Sequence, residues 1–176
     1  MSQKWRSERP GADEHASYYA QYVAEAPGKE LVTGLESQAA DMAALIKGVA
    51  AAREGHRYAE GKWSIKEVIG HITDSERVFA YRLLRFARGD ATALPSFDEN
   101  LIAKNSEADS RKLADLGEEF AAVRRATVTL VRPMQDAQMM RRGTASGKEV
   151  SARALAWIIA GHAQHHMKVL RERYLS

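Results

Sequence analysis

The chain has 176 residues, which is enough for one helical domain with a full core. It contains no cysteine, which excludes disulfides, thiolate metal ligands and a cysteine nucleophile, and which agrees with a reducing compartment. Its 26 basic and 23 acidic residues leave a net charge of only +3, and the basic residues are scattered, so we expect no nucleic-acid partner.

The N-terminal segment lacks the apolar core of a signal peptide, and no apolar run approaches transmembrane length. We therefore expect a cytoplasmic protein that has no membrane partner. Residues 1–29 are predicted to form an N-terminal arm, with a short helix over residues 13–25 that lies across the rest of the domain. Residues 30–176 are predicted to form the helical domain itself.

Four long segments of that domain repeat apolar residues at helical spacing, and none alternates long enough to indicate a strand. The first extends over residues 30–53, and Gln38 interrupts its apolar stripe near the middle. The second begins at Ser64, where residues 64–67 have the form of a capping box, and ends near Gly89. Both are therefore predicted to be amphipathic helices.

The link between the second and third helices covers residues 89–109 and is near the upper length for a compact domain. A connection of this length can carry the chain from one end of the domain to the other. We therefore predict that the second and third helices run parallel. Within the link, residues 98–104 are predicted to form a short helix.

The third helix is predicted over residues 110–134, with Pro133 near its end, and residues 135–150 are predicted to be a loop. The fourth helix is predicted to start at Ser151, a favourable N-cap, and to continue to about Tyr174. Four amphipathic helices of about 20 residues need one another to bury their apolar stripes. The sequence therefore predicts an all-α fold, a four-helix bundle.

Three histidines are the candidate metal ligands. His162 and His166 lie four residues apart on the fourth helix, so both face the same side and can bind one cation at about 2.0–2.1 Å per nitrogen. His71 is on the second helix at the edge of the inward face, and the small Ser75 beside it leaves room for a cavity. The neighbouring His165 is turned by about 100° from His166, toward another helix or solvent.

Three neutral imidazoles with an open coordination position match a catalytic zinc site, and they also suit nickel, cobalt or ferrous iron. The alternative is that all three are ordinary core histidines. Other site types fit poorly, because the sequence has no Glu-x-x-His pair for a di-iron centre and no His-Glu-x-x-His motif. Spacing alone leaves the metal site and the core histidines both open.

Two charged residues are candidates for supporting such a site. Arg82 lies about three turns after His71 and could contact an anionic group of a substrate. Glu76 could orient an imidazole or accept a proton. For Arg82 the alternative is an ion pair at the end of the bundle, and for Glu76 it is a surface charge. No catalytic residue can be assigned from the sequence.

Four segments of the chain resemble the motifs of a known family, the DinB/YfiT-like superfamily of metalloenzymes. Residues 63–77 (WSIKEVIGHITDSER) resemble the motif of its second helix, and residues 79–84 and 94–99 continue the similarity. Residues 154–166 (ALAWIIAGHAQHH) resemble its closing motif. The resemblance extends over most of the chain from about Glu30 onward.

The resemblance implies an up-down-down-up four-helix bundle with a long crossover between helices two and three. It implies a divalent ion, commonly nickel or zinc, on His71, His162 and His166, and it also implies frequent homodimers. Characterised members of the family use the ion to bind a low-molecular-weight thiol and catalyse thiol transfer, isomerisation or related reactions, whereas many other members have no assigned reaction. We therefore predict a metal-dependent enzyme, similar to a thiol S-transferase, that acts on a small-molecule substrate. The alternatives are a metal-dependent hydrolase and a non-catalytic binding or stress-response module that its metal stabilises.

Overall fold

A computed structural model describes residues 3–176, and the fold is mostly helical. The four long helices are α2 (Leu31–Lys47), α3 (Ile65–Ala87), α5 (Leu113–Val131) and α7 (Ala152–Val169). The connecting segments contain three shorter helices, α1 (Ala20–Glu25), α4 (Glu99–Asn105) and α6 (Asp136–Met139). They also contain two strands, β1 (Arg142–Ala145) and β2 (Lys148–Ser151), and a π-helical turn (Leu170–Tyr174) continues α7. The predicted four-helix bundle is confirmed.

Helices α3 and α7, which carry the three histidines, begin at the caps that the sequence predicts. The Ser64 hydroxyl accepts a hydrogen bond from the Glu67 amide at 3.0 Å, and the Glu67 carboxylate accepts one from the Ser64 amide at 2.8 Å. The Ser151 hydroxyl accepts from the Ala154 amide at 2.9 Å. Because each cap sets the first turn, it also sets which residues of the helix face inward.

Two contacts show the relative direction of α3 and α5. At the start of α3, the Ser64 hydroxyl donates to the carboxylate of Asp109, which shortly precedes α5. Further along both helices, Glu76 of α3 pairs with Arg124 of α5. The two helices therefore run parallel, as the length of the link between them predicts. The complete up-down-down-up order stays a prediction from the family resemblance.

The interior contains two apolar clusters with a polar layer between them. The polar layer consists of Gln38, Glu76 and Arg124, each at most 2% exposed. Arg124 donates to both carboxylate oxygens of Glu76 over 2.8–3.1 Å, and to the Gln38 side-chain oxygen and the Leu35 carbonyl. Gln38 in turn donates to the Ala160 carbonyl at 2.8 Å. The polar layer thereby joins all four bundle helices.

The segment between α5 and α7 differs from the loop that the sequence predicts over residues 135–150. It contains α6 and an antiparallel hairpin of β1 and β2. The turn residues Ser146 and Gly147 both have positive φ angles, 54° and 72°, as a two-residue hairpin turn requires. The prediction of a loop was therefore wrong. Strands of four residues are too short for an alternation of apolar and polar residues to reveal them in the sequence.

Several predicted boundaries also shift. Helix α2 ends at Lys47 rather than near residue 53, and a separate turn of 3-10 helix follows at Ala51–Arg53. Helix α5 is shorter than the predicted 110–134, and Pro133 lies just beyond its end. In place of one helix over residues 13–25, two 3-10 turns precede α1. The division into an arm and a helical domain at residue 29 stays a prediction, and residues 1 and 2 lie outside the described part.

None of the helices between residues 3 and 176 is both long enough and apolar enough to cross a membrane.

Helix α1 packs against α7 at Gly161. A β-carbon at this position would lie 1.7 Å from the Tyr22 carbonyl oxygen, so only glycine permits this approach. We expect Gly161→Ala to push α1 away from α7 and to lower the free energy of unfolding by about 1–3 kcal/mol, as overpacking does. Hydrogen exchange should become faster at the amides of α1.

The matched control is Gly70→Ala, because a β-carbon there meets only the Ala108 side chain at an ordinary 3.5 Å. This variant should leave exchange in α1 unchanged. Equal exchange rates of the α1 amides in the wild type and in Gly161→Ala would show that α1 does not depend on this close approach.

Candidate metal centre

Three histidine side chains converge where α3 packs against α7. His71 comes from α3, and His162 and His166 come from α7, four residues apart on one face. One ring nitrogen of each lies within 4.8 Å of the others, and the Nε2 atoms of His71 and His162 are 3.1 Å apart. The ring centroids are 4.5–4.9 Å apart. The structure therefore brings together the three residues that the sequence singles out.

The protein environment keeps these imidazoles neutral at neutral pH. Burial lowers the pKa of His71 from 6.5 to about 4. Burial, together with the nearby His71 and His165, lowers the pKa of His166 to about 3. Burial also holds the pKa of His162 well below 6.5, with a smaller contribution from the neighbouring histidines and Arg124. Neutral imidazole is the form that binds a metal, so the three nitrogens suit a divalent transition-metal ion with an open fourth position.

Several side chains hold the histidine rings in place. The Ser75 hydroxyl lies 3.4 Å from Nδ1 of His71, which leaves Nε2 of that ring directed at His162. The Trp63 ring packs against His71 with centroids 4.6 Å apart. Tyr22 of α1 meets His162 edge-on at 5.2 Å. Sequence reasoning missed the contact of Tyr22, because Tyr22 is 140 positions before His162.

Two separate cavities reach this histidine cluster. The first, of about 420 Å³, borders His166, and we call it the basic cavity; its other lining residues include Tyr58, Lys62, Trp63, Arg173 and Tyr174. The second, of about 310 Å³, borders His162, and we call it the tyrosine cavity; its other lining residues include Tyr18, Tyr19, Tyr22, Phe79 and Glu99. Helix α4 contributes to both, since Asn100 lines the first and Glu99 the second.

The candidate supporting residues have protein partners. Arg82 is buried, and its Nη2 atom donates to the Pro95 carbonyl at 2.7 Å and to the Ser146 hydroxyl at 3.0 Å. It thereby joins the link between α3 and α5 to the β-hairpin, beside the tyrosine cavity. Glu76 is paired with Arg124 in the polar layer and is not a surface charge. His165 faces α1, where its Nδ1 atom lies 2.9 Å from the Glu25 carboxylate.

Acidification is expected to destabilise the metal-free protein. The folded-state pKa values of the three histidines lie below 6.5, so the unfolded chain binds more protons in mildly acidic solution. The free energy of unfolding should therefore fall as the pH drops below about 6.5, by about 1.4 kcal/mol per pH unit for each histidine that stays neutral. Urea unfolding at a series of pH values measures this slope.

The slope should be smaller in His71→Gln, which removes one of these groups. His56→Gln changes an exposed histidine and serves as the control, with a slope close to that of the wild type. Identical slopes in the wild type and in His71→Gln would contradict the assignment of His71 as a buried neutral imidazole.

Comparison with known proteins identifies the family and the fold. The sequence model that describes the DinB superfamily matches residues 34–170 of this chain, a range that includes all three histidines. YfiT from Bacillus subtilis, described as a probable metal-dependent hydrolase with an unusual four-helix bundle topology, superposes with a TM-score of 0.74 at 15% sequence identity, covering 94% of this chain and 91% of that one. The DinB-like protein YjoA from Bacillus subtilis superposes with a TM-score of 0.58 at 20% sequence identity, and the superposition covers 80% of this chain and 86% of YjoA. No curated protein sequence matches the chain.

Proposed function

Because the chain belongs to the DinB superfamily, we propose that it is an enzyme that depends on one divalent transition-metal ion held by His71, His162 and His166. The observation that carries the proposal is the convergence of three neutral imidazoles, two buried and that of His166 half-buried, beside two cavities. A bound divalent cation lowers the pKa of a coordinated water or thiol and so supplies a nucleophile at neutral pH. Nickel and zinc are the ions that we propose first.

The reaction that we propose is transfer to or from a low-molecular-weight thiol. A transfer between two molecules requires both to be held at the same site, and two cavities border the histidine cluster. His166 borders the basic cavity and His162 borders the tyrosine cavity, so two bound molecules can approach the same cluster. The chain has no cysteine, so the thiol must come from a second molecule.

A metal-dependent hydrolase is the second candidate, favoured by the similarity to YfiT, which is described as a probable metal-dependent hydrolase. In that case one cavity would hold the substrate, and water would be the nucleophile.

A small-molecule substrate, a homodimer and a cytoplasmic location belong to the proposal in either case. Tyr81 and Leu84, which are exposed on α3, offer apolar surface for a dimer.

The test is an assay of the nickel-loaded and zinc-loaded protein with small thiols and a chlorodinitrobenzene, and in parallel with nitrophenyl esters. We expect a metal-dependent reaction that is absent from His166→Ala and present in His56→Ala, which changes an exposed histidine. Thiol conjugation would support the transferase, and ester cleavage without thiol would support the hydrolase. A metal-loaded, folded protein without either activity would instead favour the non-catalytic module.

A further inference from the structure

The two cavities beside the histidine cluster differ in charge. Lys62 and Arg173 line the basic cavity, and none of the described residues that line it is acidic. The tyrosine cavity has the opposite composition, with Glu99 and, in the described part of its wall, no lysine or arginine. A molecule that carries a negative charge is therefore attracted to the basic cavity.

Neither cation of the basic cavity has an acidic partner in residues 3–176, whereas neighbouring cations are paired. Arg57 forms ion pairs with Glu67 and Asp109, and Lys66 forms one with Glu54 at 3.3 Å. Lys62 and Arg173 are in no such pair. Their charges therefore remain available to a ligand.

The wall of the basic cavity is held by hydrogen bonds and ring contacts. The Tyr174 hydroxyl donates to the Trp63 carbonyl at 2.8 Å, and the Arg57 guanidinium donates to the Lys62 carbonyl at 2.8 Å. Tyr58 and Tyr174 meet edge to face with centroids 4.8 Å apart, and the Arg173 guanidinium lies 5.6 Å from the Tyr58 ring. The backbone that carries Lys62 is therefore fixed before any ligand arrives.

From these observations we infer that the basic cavity binds a small organic anion, with its carboxylate or phosphate group at Lys62 and Arg173 and its apolar part against Trp63. A cavity of about 420 Å³ fits a molecule of this size. His166 lines the same cavity, so the far end of the molecule faces the histidine cluster. The inference rests on the proposed function in one respect, because it takes this anion to be a substrate of the proposed enzyme. What it adds is that this substrate carries a negative charge.

The test is calorimetric titration of the metal-free and zinc-loaded protein with three probes that share one ring: phenylacetate, phenyl phosphate and the neutral phenylethanol. We expect at least one anion to bind about 10–100-fold more tightly than the alcohol, as charge-assisted hydrogen bonds predict. The carboxylate and phosphate probes show which group the cavity prefers. Added salt should weaken binding of the anions only.

The double variant Lys62→Gln with Arg173→Gln should remove this preference. The matched control, Lys104→Gln with Arg125→Gln, changes the net charge equally at two exposed positions outside the cavity. It should bind the anions as the wild type does. The exchange of Lys62→Arg with Arg173→Lys keeps both charges and should retain binding, and circular dichroism shows that each variant is folded.

Equal binding of anions and alcohol, or equal loss of binding in the two double variants, would overturn the inference. Anion binding that depends on Lys62 and Arg173 in a protein that refuses nickel and zinc would uphold the anion site while the proposed function fails. A protein that takes up metal but binds neither anion would refute the anion site and leave the metal-dependent enzyme standing.

Discussion

Replacement of Arg124 by methionine is expected to lower the free energy of unfolding by about 3–5 kcal/mol. Arg124 is buried and is the partner of the equally buried Glu76, so its removal leaves a carboxylate without a counter-ion in the interior. It also removes the donor to Gln38 and thus a contact between α5 and α2. Urea unfolding at neutral pH, followed by circular dichroism, measures the loss.

Two further variants make this result specific to the polar layer. Arg125→Met changes an exposed arginine on the same helix and should alter the free energy of unfolding by no more than about 0.5 kcal/mol. Arg124→Met combined with Glu76→Met removes both charges, and much of the stability should return, because a buried pair replaced by apolar groups is often nearly neutral. A single variant as stable as Arg125→Met would contradict the role given to the Arg124–Glu76 pair.

Replacement of His162 by alanine is expected to weaken nickel or zinc binding by about 100-fold or more. Structural zinc sites with four ligands contribute about 10–16 kcal/mol in total, so one lost ligand corresponds to at least about two powers of ten in affinity. Trp63 provides the readout, since its ring packs against His71 and its fluorescence should respond to nickel. His162 forms no ion pair with any residue between 3 and 176, so the variant should remain folded.

His165→Ala is the matched control for this experiment. It changes a histidine on the same helix that is not one of the three converging ligands and whose Nδ1 atom contacts Glu25. Its nickel affinity should stay within about tenfold of the wild type, as expected for a residue outside the ligand set. If His162→Ala and His165→Ala bound nickel equally well, the assignment of His162 as a ligand would be wrong.

The sequence predicted the elements that depend on local periodicity and caps. The four apolar stripes, the capping box at Ser64 and the N-cap at Ser151 located the bundle helices. The four-residue spacing of His162 and His166 predicted that they share a face. His71 could be added because it is the only histidine on a predicted bundle helix other than the fourth. Apart from the grouping of His71 with the other two histidines, these inferences need only residues that are close together in the chain.

The polar layer was not predicted, although the sequence contains a signal for it. Glu76 lies four residues after Ile72 and three before Phe79, so it belongs to the inward stripe of α3. Arg124 lies four residues after Phe120 and likewise belongs to the inward stripe of α5. Opposite charges that interrupt two apolar stripes indicate a buried pair. Their separation of 48 residues means that only the packed bundle shows them to be neighbours. Glu76 was therefore considered as a proton acceptor and as a surface charge.

Contacts that join distant segments explain the other differences. Tyr22 reaches His162 because Gly161 lets α1 approach the backbone of α7, and a single glycine in a helix does not reveal what packs on it. The β-hairpin depends on the positive φ angles of Ser146 and Gly147, and the Ser-Gly pair was its only local signal. These segments line or support the tyrosine cavity, so the site is less predictable from sequence than the bundle.

Metal content per chain tests the central claim most directly. Untagged protein, purified without added metal, should contain about one transition-metal ion per chain by elemental analysis, as three histidine ligands predict. The His71→Ala variant, folded by circular dichroism, should contain almost none. A wild-type protein that is metal-free and also refuses added nickel and zinc would contradict the account, and the three histidines would then be core residues.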